Sequence, residues 1–561
     1  MKRTAIYLTS FMLLTIVGLS ACYGQNGHGQ QHLEQRDQFT SFDGTQISSK
    51  ALDQFIEEQM SALDMPGLSI AVINDAKIVY HRTFGVTNTQ NGQAIDDETV
   101  FEAASMSKPV LAYFAMAMVE DGLLDLDTPL HKYLPNYDLD YDKRYEQITA
   151  RMVLNHTTGM PNWRYENKMQ YLNLKFDPGT QFSYSGEGYE YLGNVIAHLR
   201  GGTRTDLEAW IKKEVFEPAG ADQAHYLWNE YLEEHKASGH VNGMPNNIYQ
   251  PLLPSMAGGL HIDAVGFAQF MIAMMNEDGL DEASYDELFS TQWTLPDNHD
   301  FVVNYDQSEW SLGFAIEPAP DGNIYAHGGN NGDFQSYFEF SKDKKIGYVF
   351  LSNSNVGERF THILKPFLRT GSPSGLDKKY DVVDRRIKGY EDDQFKGVEL
   401  TASSGDGFAW INDQAFSEGT IEMDIKGENN PGASFVGIAF HGEDRNTFEG
   451  IYFRPFNFQS DDAGRRSHSV QYHSLPEHSW RVLRSEFPDA YEAEIPLPPD
   501  PDGWFHARIE VEKNQITVYV DDIKEPVLQV ESLSGRTSGK IGLWVGSNSS
   551  GRFANVQITE R

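Results

Sequence analysis

The run Phe101-Glu-Ala-Ala-Ser-Met-Ser-Lys108 sets a serine three residues ahead of a lysine, at the head of the apolar stretch Val110 to Val119. That stretch predicts a helix that starts near Ser105 and stops at Gly122. Pro109 falls in its first turn, where a missing N–H costs nothing. Residues three apart share a helix face, so the Ser105 hydroxyl and the Lys108 amine come within hydrogen-bonding reach. The helix N-terminus favours negative charge developing on the serine oxygen. A lysine stripped of water loses basicity until it can take a hydroxyl proton. Taken alone, a serine and a lysine at this spacing are a weak signal, and the flanking sequence has to decide.

Upstream, Lys50 to Leu63 repeats apolar residues at helical spacing, and Gly67 to Gly85 reads as a β-hairpin turning at Asn74-Asp75. Downstream, Leu123 to Trp310 is rich in helix patterns broken by turns such as Asp177-Pro178-Gly179. Three strand-like runs follow, Asn323 to His327, Phe334 to Phe340 and Ile346 to Leu351. A hairpin, a helical middle and late strands predict a mixed α/β domain whose two ends meet in one antiparallel sheet. Two more segments bear on the serine. Tyr184 lies in Phe182-Ser-Tyr-Ser-Gly-Glu-Gly-Tyr-Glu-Tyr-Leu-Gly193, and a phenol beside ammonium groups is held partly as phenolate, a general base. His327-Gly328-Gly329 ends a strand; its glycines admit a substrate to the strand edge, where a backbone N–H completes an oxyanion hole with that of Ser105.

Together these segments resemble the S-x-x-K, Y-x-N and K-T-G motifs of the serine β-lactamase and penicillin-binding protein superfamily. The resemblance is to its class C β-lactamase, D-alanyl-D-alanine carboxypeptidase and esterase branch. Gly122-Leu-Leu-Asp-Leu-Asp-Thr-Pro129, Leu154-Asn-His-Thr-Thr-Gly159 and Ala257-Gly-Gly-Leu260 are similar to further stretches of that branch, in its order, over about Leu52 to Leu351. The resemblance implies a β-lactamase-like fold, an antiparallel sheet with a helical subdomain. It makes Ser105 the acylated nucleophile, Lys108 its partner and Tyr184 the base that reprotonates the leaving group. His327, Gly329 and Asn330 would line the substrate and oxyanion side, with Gly186 at the third motif position. No metal or other cofactor is implied. Gly186 stands where the motif has asparagine, and His327 where it has lysine. Both changes argue against an efficient β-lactamase, the second because it weakens a fixed charge for a substrate carboxylate. His156 is expected to build a turn, and Asp125 with Asp127 to form another turn rather than an acid/base pair. Trp163 and Tyr165 are placed either at the cleft or in packing.

Residues 371–394, with Gly371-Ser-Pro-Ser-Gly375 and a charged run, read as a linker after a domain spanning 46–370. From 395 to 561 short alternating runs, among them Phe435 to Phe440 and Ile541 to Val545, predict an all-β sandwich or jelly roll. They resemble concanavalin A-like domains. Trp480, Trp504 and Trp544 belong either to its core or to a sugar-stacking surface. A carbohydrate-binding or substrate-positioning module is the expectation, without a carboxylate pair for glycoside cleavage.

The chain of 561 residues has one cysteine, Cys22. It ends Leu19-Ser-Ala-Cys22, behind Lys2, Arg3 and the mostly apolar run from Ala5 to Leu19. This resembles the lipobox of bacterial lipoproteins, which implies a signal over 1–22, lipid on Cys22 and a flexible tether over 23–45. A membrane-anchored protein facing the periplasm or cell surface is expected. The net charge of −36 is spread along the chain and repels a phosphate backbone, which excludes nucleic acid as a partner. The reading is an exported acyl hydrolase acting on an ester, an amide or a D-amino-acid peptide, small or peptidoglycan-derived. The alternative is an inactive hydrolase fold that serves as a carbohydrate or cell-wall binding protein.

Overall fold

A computed structural model describes residues 34–166, 170–371, 376 and 379–561. The signal expected over 1–22, with Cys22, and the first part of the tether lie outside these residues.

Gly67–Asn74 and Lys77–Asn88 form the expected hairpin, turning at Asp75 and Ala76, whose φ values are 52° and 53°. Strand Ile346–Ser352 pairs antiparallel with its first strand, Gly347 opposite Ile73 and Ser352 opposite Leu68. The two ends of the domain thereby close one sheet of nine strands. Across it the order is 293–294, 309–310, 315–317, 324–330, 335–341, 346–352, 67–74, 77–88, 93–94. Alternation along each strand sorts side chains to two faces. Leu68, Ile70 and Val72 join the core under helices Ser49–Ala62 and Gly357–Thr370, where the Phe55 and Phe367 rings stack at 4.1 Å. Ala71, Ile73, Phe338 and Val349 join the other core, with helices Ser107–Glu120 and Ala264–Asn276. Both faces are covered, which is why Gly67–Asn74 is apolar almost throughout and buried at every position. Glu339, fully buried in this sheet, accepts two 2.8 Å bonds from Arg369 and so ties the last helix of the domain to it.

The second domain is a sandwich of two seven-stranded antiparallel sheets around its own core, which includes Ile421, Phe440, Ile509 and Leu543. The segment 371–394 is not a plain linker. Tyr380–Val383 pairs with Gly407–Phe416, and Ile387–Glu391 with Lys396–Leu400, so each sheet takes one edge strand from it. Edge strands are half-exposed and carry charges that blunt further pairing. Those charges hide the alternation on which a strand reading depends. Among the described residues no helix is long and apolar enough to cross a membrane.

Candidate active site

Strand Phe101–Ala104 delivers the serine. Ala104 adopts φ 48°, a left-handed conformation unfavourable for a residue with a Cβ, and places Ser105 just ahead of the helix Ser107–Glu120. Ser107 fixes this turn. Its hydroxyl donates to the Ala104 carbonyl at 2.6 Å and accepts the Leu260 N–H at 3.0 Å. Lys108 has no exposed surface, and its Nζ donates to Ser105 Oγ at 3.0 Å and to the Ala257 carbonyl at 2.7 Å. Burial lowers the pKa of this amine to about 7. Near neutrality much of it is uncharged, with a lone pair for the serine proton.

Tyr184 enters ahead of the helix Gly186–Leu199, which Ser185 caps by accepting the Gly188 N–H at 3.0 Å. Its ring lies 4.7 Å from Lys108 Nζ. Burial raises the pKa of the phenol above its ordinary value, against the opposing effect of a hydrogen bond with Ser105. The expectation of a partial phenolate is therefore corrected: burial outweighs the bond with Ser105, and the hydroxyl keeps its proton near neutral pH. His327 sits in strand Ile324–Asn330 with Nδ1 2.6 Å from the Gly328 carbonyl. A carbonyl only accepts, so Nδ1 carries the ring proton and Nε2 offers its lone pair to the Tyr184 hydroxyl at 3.4 Å. Burial, then the charge on Lys108, lowers the pKa of His327 to about 3, and the ring is neutral.

Strand 315–317 pairs with 324–326 and stops there, so residues 327–330 form a strand edge at the site. Gly329 fits because a Cβ would lie 2.2 Å from the Ala103 carbonyl. Gly329→Ala must push strand 324–330 away from the serine strand, and with it the N–H of Asn330. Such a displacement is expected to cost turnover about a hundredfold, while thermal unfolding stays cooperative. Steady-state ester hydrolysis beside a melting curve checks it, and an unaltered rate would show that the strand edge takes no part.

Gly186 has a similar origin. A Cβ there would lie 3.0 Å from the Trp163 ring and from the Asn162 carbonyl. The Asn162 side chain accepts the Gly186 N–H at 3.0 Å, so Asn162 and Trp163 occupy the space that an asparagine at 186 would need. The Trp163 and Tyr165 rings stack at 6.2 Å. Both line a cavity of about 720 Å³, together with Tyr249, Leu253, Asn330 and Phe334. Of its charged groups, Lys236 Nζ donates to Glu102 at 2.6 Å, the other oxygen of Glu102 accepts from Asn331 at 2.6 Å, and Asp333 accepts from Asn246 at 2.9 Å.

His156 does turn the chain, with φ 59°. It also underlies the tyrosine, its buried ring 4.3 Å from that of Tyr184 and its Nδ1 accepting the Ser185 N–H at 3.1 Å. Burial, then Lys108, holds its pKa well below the ordinary value. Asp125 accepts the N–H groups of Asp127 and Thr128 in a turn, and Asp127 pairs with Arg151. In the sandwich Trp544 is buried beside Tyr452 at 5.1 Å, and Trp504 donates to Asp392 at 2.9 Å. Trp480 is exposed, with Arg481 and Arg484 each 5.1 Å from its ring. Sequence reasoning missed Ser107, Asn162, Trp310 and Phe301, which hold or pack the site. The one available signal was Gly186, a vacancy that some neighbour had to fill. Among the described residues no group of three or more His, Cys, Asp or Glu side chains comes together as a metal site.

A family model described as Beta-lactamase matches residues 52–369, and one described as 3-keto-alpha-glucoside-1,2-lyase-like domain matches residues 375–559. The chain is similar to a penicillin-binding protein of Bacillus subtilis (strain 168), 24% identical over 345 residues, covering 55% of this chain and 72% of that protein. It is similar to Protein flp of Staphylococcus aureus (strain MRSA252), 23% identical over 385 residues, covering 64% and 72%. Among solved structures, the octameric penicillin-binding protein homologue from Pyrococcus abyssi superposes with a TM-score of 0.52 at 17% identity, over 84% of this chain and 98% of that one.

Proposed function

The chain belongs to the beta-lactamase family, and from that premise we propose that it is a serine acyl hydrolase of the cell envelope that takes neutral esters and amides. The observation that carries the reading is the 3.0 Å contact between Ser105 Oγ and a fully buried Lys108. Neutral Lys108 removes the hydroxyl proton as Ser105 Oγ attacks the carbonyl. The N–H groups of Ser105 and Asn330 hold the oxyanion. As the tetrahedral intermediate collapses, the Tyr184 O–H protonates the leaving group, and water then releases the acyl group from Ser105 by the reverse route.

The neutral-substrate reading rests on charge. A carboxylate beside the scissile bond needs a cation, and among the described residues the cations around this cleft are committed. Arg164 bonds Glu187 and Asp138, each at 2.9 Å; Lys236 bonds Glu102; Lys175 lies 3.9 Å from Glu166; and His327 is neutral. Trp163, Tyr165, Tyr249 and Leu253 suit an apolar or aromatic acyl group. Esters rank first, ahead of amides and of D-amino-acid peptides, small or peptidoglycan-derived, in which the carboxylate is masked. We also propose that the sandwich domain contacts carbohydrate, supported by its match to a 3-keto-alpha-glucoside-1,2-lyase-like model. Lipid on Cys22 as membrane anchor is supported by Leu19-Ser-Ala-Cys22.

Intact-mass measurement after mixing with p-nitrophenyl butyrate or with benzylpenicillin, on wild type and Ser105→Ala, tests the proposal. A butyryl adduct on wild type alone, with little or no penicilloyl adduct, is expected. Fast penicilloylation without butyrylation would overturn the neutral-substrate reading. No adduct from either compound would leave a binding protein in a hydrolase fold.

A further inference from the structure

We propose that the sandwich domain positions Tyr184, acting through the short helix Asp300–Tyr305 that it grips at one end. The inference rests on the reading of Tyr184 as a catalytic group.

The helix runs between the active-site aromatics and the second domain. At its start His299 caps it by accepting the Phe301 N–H at 3.3 Å, and its ring stacks on that of Phe301 at 5.4 Å. Phe301 leans into the aromatic cluster around the active site. Its ring centroid lies 5.1 Å from Trp310, 6.1 Å from Tyr184 and 6.4 Å from Phe182. Trp310 in turn contacts Tyr184 at 6.1 Å and His327 at 5.8 Å. Tyr184 thus has His156 on one side and the Phe301–Trp310 pair on another, and these rings leave its hydroxyl directed at Ser105 and His327.

At the far end both domains hold the helix: from the first, Glu358 accepts the Tyr305 hydroxyl at 2.7 Å and Lys365 donates to the Tyr305 carbonyl at 2.5 Å, and the second domain takes the next residue. Asp306, the C-cap at φ 61°, pairs with Arg386 at 2.7 Å and lies 3.7 Å from Lys388. Burial acts to raise the pKa of the Asp306 carboxyl, but the bond and charge of Arg386 outweigh it and hold the group ionised. Arg386 also donates to the Asn304 carbonyl at 3.4 Å, and the Thr401 hydroxyl donates to the Asn304 side chain at 3.1 Å. Thr401 is itself tied to Arg386, accepting its N–H at 3.0 Å. The three side chains that grip from the second domain, Arg386, Lys388 and Thr401, lie on or beside its paired strands Ile387–Glu391 and Lys396–Leu400. Six residues of helix are too few to hold their own shape without such contacts. Releasing the second domain's part of this hold therefore loosens Phe301, and the packing on Tyr184 with it. Arg386 and Asp306 are positioning residues in this account, since neither touches the reacting atoms.

The test compares full-length wild type with Arg386→Ala and with Asp306→Asn, which breaks the same pair from the other domain. Amide hydrogen exchange at 299–307 and at 182–186 is read beside kcat and KM for ethyl butyrate, whose alkoxide leaving group needs the Tyr184 proton. In both variants exchange is expected to quicken in both segments. The expected kinetic signature is a fall in kcat of roughly tenfold with KM nearly unchanged, and Arg386→Lys, which keeps the ion pair, recovers part of it. Faster exchange at 299–307 with 182–186 unaltered would overturn the proposal, as would unchanged exchange in both. If wild type shows no Ser105-dependent turnover while both segments still respond, the coupling stands and the hydrolase reading falls. An effect in Arg386→Ala that Asp306→Asn does not reproduce would be damage to the sandwich alone and would count against the coupling.

Discussion

Lys108→Met is expected to lower kcat/KM for ester hydrolysis roughly a thousandfold, within the usual range for loss of a positioned general base, without weakening the fold. The side chain is fully buried, and Met nearly matches its volume while removing an amine for which burial is unfavourable. The wild-type pH profile carries the same signature. The base works unprotonated, so kcat/KM should climb as pH rises through about 7, where the Lys108 amine titrates, and then level off. In Lys108→Met that inflection should vanish along with the rate. The variant's stability moves opposite to its rate. The folded pKa, about 7, lies below the ordinary 10.5, so the unfolded chain binds the proton more tightly. The cost of burying the amine is therefore fully present below about pH 7 and is relieved as pH rises towards 10.5. Lys108→Met removes this cost but leaves the Ala257 carbonyl without its 2.7 Å donor, which offsets part of the gain. Melting at pH 6 and pH 9 should find the variant at least as stable as wild type, with its advantage larger at pH 6. An inactive variant that also melts early at both pH values would make Lys108 a structural residue.

The Ser105 and Lys108 pair was legible because three residues along a helix is a local geometry, fixed before any tertiary contact forms. The hairpin and the late strands were legible because β-branched and aromatic residues crowd both faces of a covered sheet. What escaped was whatever distant packing decides. The protonation of Tyr184 depends on burial among His156, Phe301 and Trp310, from three separate segments. A motif shows the phenol and not its burial. The tautomer of His327 depends on its contact with the Gly328 carbonyl. Gly186 looked like a lost side chain, whereas its space is filled by Asn162 and Trp163 from an earlier loop. The edge strands at 380–383 and 387–391 escaped because a half-exposed strand rich in charge has the composition of a linker.

Tyr184→Phe separates the two proton-transfer roles, and its effect should depend on the leaving group. Phenylalanine keeps the ring that packs 4.3 Å from His156, 6.1 Å from Phe301 and 4.7 Å from Lys108 Nζ. Only the O–H is lost, and with it the donor to His327 Nε2 and the hydrogen bond with Ser105. If the hydroxyl were the base that first deprotonates the serine, every substrate would suffer alike. The surroundings give it a different part. Burial holds its pKa high, so it keeps the proton at neutral pH, while Lys108, 3.0 Å from the nucleophile, titrates near 7. A phenol that stays protonated serves as an acid, and an acid is needed only where the departing group is basic. Loss of the hydroxyl is therefore expected to slow alkyl esters and amides by about a thousandfold, and p-nitrophenyl esters, whose leaving group departs without a proton, by no more than about tenfold. Plotting log kcat/KM against leaving-group pKa for both proteins makes the comparison, and the slope should steepen in the variant. Parallel lines would return the general-base role to Tyr184 and leave Lys108 as its electrostatic partner.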